Sequence, residues 1–332
     1  MRKRSIVLVL SLVFIFAMAL SINAQETYTL KYNHVLSPNH PFHEGLTNWA
    51  ERVEERTDGN LQIEVYHSSQ LGNLQDLTEQ MRQGVAVGAN TDAAYLGNYV
   101  SDIAVMNGPY FVDNLEEVQK LRDLPIVQDW LAQLEDKGIK VLAFNWAQGF
   151  RHFMTMKPVK KPSDLNGLRV RTPPAPIWSK SVESLGATPT ALEFGQIYTS
   201  LQQGAVDGAE LVYSNVTAGS LQEVLKYINE TRHILLINFQ VVSAEWFNRL
   251  PEEYQEILVE ECNRAGLETA NTLKQKHKEI RQQFMESDNI TVIPESEVDL
   301  EAFREAGEAA YEELGLTEVR QKVYEQLENL EE

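Results

Sequence analysis

The chain has 332 residues, 43% hydrophobic and 23% charged, with a formal net charge of −19 and one cysteine, Cys262. That acidic balance excludes nucleic acid and anionic lipid as expected partners. A single cysteine excludes an intramolecular disulfide, so a large hydrophobic core alone must hold the fold.

Arg2, Lys3 and Arg4 open the chain and an apolar run follows from Ile6 to Leu20, broken only by Ser11. The run is shorter than the roughly 20 residues a membrane-spanning helix needs. With Ile22-Asn23-Ala24-Gln25 behind it, it reads as a signal peptide over residues 1–24, cleaved on export. No cysteine follows the cleavage point, which argues against a lipoprotein anchor and for the periplasm. Removing 24 of the 332 residues leaves 308, enough for two domains, and losing three basic residues takes the charge from −19 to −22. An acidic chain can still bind an anion, because at physiological salt long-range fields fade over about 8 Å while pocket contacts act closer.

The predicted elements then follow in order. Thr27 to Asn33 alternates like a strand, Ser37-Pro38-Asn39-His40-Pro41 is a turn capping a helix to Thr57, and Leu61 to Tyr66 is a second strand. Asn73 to Gly84 has helical spacing and Ala86 to Thr91 reads as a short strand, with Asp92 and Tyr95 at its carboxyl end, where open α/β sheets bind ligands. Val105 to Phe111 is too apolar for a free loop and too broken for a helix. Leu115 to Lys137 reads as helix and Ile139 to Asn145 as a buried strand.

Gly149 to Pro173 carries two isolated arginines, Arg151 and Arg171, beside backbone made irregular by Gly and Pro. A guanidinium offers a rigid fork of donors that fits a carboxylate and does not lose its charge. Lys157 to Leu165 is turn-rich, with Ser163 as a cap. In Leu168-Arg169-Val170-Arg171 strand alternation places both arginines on one face, a pattern that equally fits a half-exposed edge showing basic residues to water. The proline-stiffened exit Thr172-Pro173-Pro174-Ala175-Pro176 favours a fixed anchor for an anion.

Helix from Ile177 to Leu185, a crossing from Thr188 to Phe194, helix from Gly195 to Gln203 and a small-residue strand from Gly204 to Leu211 repeat the unit seen earlier. Ser220 to Ile228 reads as helix, Ile234 to Ala244 as a buried strand between domains, Pro251 to Met285 as a long helix able to span both, and Ile290 to Pro294 as a last strand before an acidic terminal helix.

Neither a dinucleotide fingerprint, a phosphate loop nor a Gly-x-Ser-x-Gly elbow occurs. His34, His40 and His43 read as structural or surface histidines and Cys262 as a core thiol. No metal, no cofactor and no catalytic residue is expected, so the chain is read as a binding protein and not an enzyme.

Ser69-Gln70-Leu71-Gly72, Gly149-Phe150-Arg151, Pro162-Ser163-Asp164-Leu165-Asn166-Gly167-Leu168-Arg169-Val170-Arg171-Thr172-Pro173, Gly186-Ala187-Thr188-Pro189, Glu193-Phe194, Tyr198 through Glu210 and Leu250-Pro251-Glu252-Glu253 together resemble the substrate-binding proteins of tripartite ATP-independent periplasmic (TRAP) transporters, in the DctP-like family. The resemblance implies an α/β, two-domain periplasmic-binding-protein-like fold with a ligand cleft between the domains, crossing strands and a long domain-spanning helix. It divides the chain into residues 25–149 plus 237–276 and residues 150–236 plus 277–332.

It also implies Arg171 as the principal carboxylate ligand, Arg151 as a second, Phe194 as a pocket aromatic, Asp92 and Tyr95 as cleft-lining, and Glu210 and Leu211 as further ligand-binding positions. Leu211 stands where many relatives carry Asn, and Pro174 where sialic-acid binders carry Asn. Asn73-Leu74-Gln75 is less charged than usual. These departures favour a compact or partly apolar acid, a C4-dicarboxylate or a 2-oxo or hydroxy acid. The implied partners are the small organic-acid ligand and the membrane permease, with the chain itself a monomer. Two other readings are a ligand-binding subunit of a membrane sensor and an exported enzyme using His152 as base.

Overall fold

The computed structural model describes residues 27–330, so the signal-peptide reading falls outside the described residues. Nine strands form one mixed sheet: β1 (Tyr28–Asn33), β2 (Leu61–Tyr66), β3 (Val87–Asp92), β4 (Ile139–Thr155), β5 (Arg169–Thr172), β6 (Thr188–Ala191), β7 (Gly208–Leu211), β8 (Tyr227–Ser243) and β9 (Thr291–Ile293). Their order is β2-β1-β3-β8-β4-β7-β5-β6, with β9 beside β8. β4 and β8 are the two long strands, 17 residues each, and run antiparallel along their whole length. The first half of β4 and the second half of β8 continue into β3, β1 and β2. The other halves continue into β7, β5, β6 and β9. Two lobes are thus built on one shared pair of strands.

The junction is irregular for a local reason. The register of β4 against β8 shifts between Ala147 and Gly149, and Gly149 has a φ of 109°, a conformation that favours glycine. A Cβ at Gly149 would lie 2.7 Å from the His277 ring, so the long helix also approaches the strand here. That helix, Glu252–Met285, follows Pro251 and carries Glu252 and Glu253 in its first turn, where the helix dipole favours acids. Its 34 residues span about 50 Å. Leu258 and Cys262 sit in the core of the first lobe, Ile280 and Phe284 in that of the second.

Local signals explain the first lobe well. His40 caps the helix Pro41–Arg56 through Nδ1, which accepts from the Phe42 amide at 3.2 Å. Phe42, Leu46, Trp49 and Val53 recur at helical spacing and are buried, with Trp49 edge-on to Tyr32, each worth about 1.5–3 kcal/mol of burial. His40 also reaches across: its Nε2 lies 3.0 Å from the Ser214 hydroxyl, which lies 2.9 Å from His277 Nε2.

The structure corrects several expectations. The helix expected over Leu115 to Lys137 is two, Leu115–Leu121 and Pro125–Asp136, because Pro125 lacks the amide that would continue the ladder. The strand expected to end at Asn145 runs on through Arg151 to Thr155. The short turn Pro162–Leu165 is preceded by Lys161, not capped by Ser163. Ser220 to Ile228 is not an α-helix: Ser220 is left-handed, one 3-10 turn follows, and Tyr227 and Ile228 join the ladder between β4 and β9. The terminal helix splits into Leu300–Glu313 and Thr317–Asn329 around Gly315. The second of these does not stay with the second lobe as the sequence division had it. Tyr324 donates to the Phe111 carbonyl and Gln326 accepts from the Ile126 amide, so it returns to the first lobe. Among the described residues no helix is long and apolar enough to cross a membrane.

Gly149→Ala should cost about 2–4 kcal/mol in urea denaturation, since it combines a left-handed φ with a clash at His277. Gly59→Ala, at φ 80° with no atom within 4 Å of the added carbon, should cost only about 1 kcal/mol. Equal losses would show that the His277 approach imposes no constraint.

Candidate ligand-binding cavity between the lobes

A cavity of about 80 Å³ opens where the lobes meet. The first lobe contributes Leu36, Leu74, Asn90, Thr91, Asp92 and Tyr95; the second Arg171, Pro173, Glu193, Phe194 and Asn215. Gln148, Arg151, Leu236 and Asn238 come from the shared strands. Five of the seven sequence-predicted residues therefore converge on one space: Arg171, Arg151, Phe194, Asp92 and Tyr95.

Glu210 and Leu211, the other two, do not line this cavity. Leu211 is fully buried in the second lobe's core. Glu210 turns inward, where its carboxylate meets the Arg151 Nε and accepts from the Thr172 hydroxyl at 2.9 Å. Its own carbonyl accepts from Arg151 Nη2. Burial would push the Glu210 carboxyl up, but Arg151 and His233 outweigh it and hold it below the usual range. Arg151 is further stacked over Trp178, 4.6 Å from the ring centre. One cavity arginine is thus closed by an internal partner.

Arg171 is not. It is 3% exposed, its Nε donates to the Leu192 carbonyl at 2.8 Å, and among the described residues no carboxylate lies within ion-pair distance of it. Burial lowers its pKa to about 10, so it keeps its charge at neutral pH. The alternation of β5 does place Arg169 and Arg171 on the same face, but their fates differ. Arg169, at the outer end of β5, pairs with Asp207 in solvent; Arg171, two residues nearer the cleft, lies beneath it.

Asp92 ends β3 and caps the four-residue helix Ala93–Leu96, its Oδ1 accepting from the amides of Ala94 and Tyr95. Burial pushes its carboxyl up to about 6, against the pull of those amides and of Arg151. Burial also raises the Tyr95 phenol. His152, the base of the enzyme reading, points away from Arg151 as strand alternation requires. It is buried outside the cavity, accepts from the Arg232 amide, and burial lowers its pKa to about 3.

Sequence reasoning missed the amides Asn90, Gln148 and Asn238. The signal was a polar residue inside an apolar strand: Asn238 interrupts Ile237 and Phe239, and Gln148 follows Trp146 and Ala147.

The sequence model of bacterial extracellular solute-binding protein, family 7 (DctP), matches residues 32–317. The C4-dicarboxylate-binding periplasmic protein DctP of Rhodobacter capsulatus is 29% identical over 300 residues, covering 90% of this chain and 84% of that protein. A TRAP periplasmic solute-binding protein of Desulfovibrio salexigens, solved with diglycerolphosphate, superposes with a TM-score of 0.86 at 29% identity, covering 92% of this chain and 98% of that one. One from Ochrobacterium anthropi, solved with L-fuconate, gives 0.85 at 28% identity, covering 91% and 99%.

Because an ionised Asp92 is buried at a cost, Asp92→Asn should stabilise the ligand-free protein by about 1–3 kcal/mol at pH 7.5. A carboxyl whose folded pKa is raised favours the native state only below its unfolded pKa and loses that advantage as pH rises through about 6. The gain of the Asn variant should therefore vanish near pH 4. Urea denaturation at both pH values tests this, and a variant less stable at pH 7.5 would contradict it.

Proposed function

The chain belongs to family 7 of the bacterial extracellular solute-binding proteins, the DctP family, and from that membership we propose that it is the receptor of a TRAP transporter, taking up a small organic carboxylate on Arg171. The observation that carries this reading is the buried guanidinium of Arg171 without a carboxylate partner among the described residues. An uncompensated buried charge is costly in a protein interior. A ligand carboxylate entering between the lobes supplies the missing counter-charge, with the bidentate geometry a guanidinium favours.

Arg151, already held by Glu210, contributes field and shape and not the anchoring bond. Phe194 and Tyr95 supply apolar wall from opposite lobes. The size of the cavity fits a compact acid: at about 10–15 Å³ per water-sized group, 80 Å³ takes some five to eight such groups, the scale of a three- to five-carbon acid.

Since the cavity draws on both lobes, ligand binding favours their closed arrangement. The shift at Gly149 and Leu236 in the shared strands is the proposed bending point. The proposed lobes are residues 25–149 with 237–276 and 150–236 with 277–332, with Thr317–Asn329 assigned to the first lobe on its contacts with Phe111 and Ile126. Export by a cleaved signal peptide over residues 1–24, a monomeric state and delivery to a membrane permease complete the proposal.

Arg171→Met should lower affinity for the carboxylate ligand by at least ~100-fold, as expected when one partner of a buried charge pair is truncated. It should leave the ligand-free melting temperature unchanged or higher, because it removes a buried charge. Calorimetry and thermal melting read the two effects separately; a variant that melts lower yet binds normally would assign Arg171 a structural role.

A further inference from the structure

Within the proposed carboxylate reading, the hydrogen-bond pattern around the cavity narrows the ligand class. The Asn238 Nδ2 donates to the Thr91 carbonyl at 2.9 Å, which fixes the orientation of that amide, since the reverse would set two carbonyl-type oxygens against each other. Asn238 Oδ1 must then face Gln148, whose Nε2 donates to it at 2.7 Å. Gln148 is thereby turned so that its Oε1, buried, has no partner in the protein. On the other side Asn238 Nδ2 also reaches Asn90 Oδ1 at 3.4 Å, leaving Asn90 Nδ2 buried and without a partner. Gln148 is 4% and Asn90 5% exposed, and both line the cavity, so whatever satisfies them enters through it.

One anchored relay thus leaves an acceptor on Gln148 and a donor on Asn90. A hydroxyl both donates and accepts, whereas a carboxylate only accepts. Charge points the same way. Among the described residues lining the cavity, Arg151 is already paired with Glu210, Arg171 can satisfy one carboxylate, and Asp92 and Glu193 are the remaining ionisable acids. A second carboxylate would meet an unpartnered amide oxygen and two acids with no free cation to offset them.

We infer that the ligand is a monocarboxylic hydroxy acid, its carboxylate on Arg171 and a hydroxyl between Gln148 Oε1 and Asn90 Nδ2, and not a dicarboxylate.

Isothermal titration of the purified protein with three four-carbon probes, erythronate, succinate and butyrate, tests this. Erythronate should bind at least ~100-fold more tightly than either of the others, because buried polar groups left unpaired penalise an analogue that lacks the hydroxyl. Succinate binding as tightly as erythronate overturns the inference and leaves the carboxylate reading standing, as does butyrate matching erythronate. Binding of none of the three acids overturns both. Gln148→Leu should weaken erythronate at least ~10-fold and leave butyrate unchanged, whereas Arg171→Met should weaken every acid. If Gln148→Leu weakens erythronate and butyrate alike, its amide is only structural and the inference falls.

Discussion

The ion pair between Arg151 and Glu210 sets the electrostatics of the region where the lobes meet. Two guanidiniums are buried within one small space, and burial first, with the charge of Arg151 adding to it, lowers the Arg171 pKa. Glu210 removes that difficulty for one of them. Because it stands on β7 and is braced by Thr172 of β5, it also ties β7 to the strand that carries Arg171. Arg171 is thereby left as the cavity cation with no carboxylate at ion-pair distance among the described residues, supported by the more distant charges of Glu210 and Glu193. A cavity with two open cations would have had no preference between one carboxylate and two; a cavity with none would not hold an anion. The pairing leaves one.

The same economy governs the shared strands. β4 and β8 pass from one lobe to the other, so their middle residues are buried on both sides and would be expected to be wholly apolar. Their outer parts mix core residues such as Ile139, Leu142, Val241 and Val242 with buried polar ones such as Asn229, Thr231 and Gln240. At the crossing stand Gln148, Arg151 and Asn238, whose polar groups must be satisfied by each other or by something in the cavity. Asn238 is satisfied by the Thr91 carbonyl and Gln148 in part by Asn238. What remains unpaired lies on the residues that line the space. Gln148 and Asn238 thus bring buried amides to the cavity, beside the register shift between Ala147 and Gly149.

Much of the fold was legible locally. β2 was read to the residue, and β1, β3 and the helix Pro41–Arg56 nearly so, because each has alternation or helical spacing bounded by Pro, Gly or Asn. Ser220 to Ile228 has helical spacing at Leu221, Val224, Leu225 and Ile228, but the free edges of β4 and β9 compete for its end and win. The strand expected over Ile139 to Asn145 runs on to Thr155. Gly149 lets the strand bend and continue.

The sequence by itself determined the α/β class and the long helix, which rest on spacing and residue type along the chain, and the family resemblance, which implied Arg151, Arg171, Asp92, Tyr95 and Phe194 as cleft residues. Only the tertiary structure decided which of two arginines is paired, because Glu210 lies 59 residues from Arg151 and nothing in its neighbours marks it as a counter-ion. It likewise decided that Arg169 and Arg171, identical in pattern, differ in burial, and that Gln148 and Asn90 keep an open hydrogen-bonding group. Burial and pairing are properties of what packs across an element, and one strand's own sequence does not contain its neighbours.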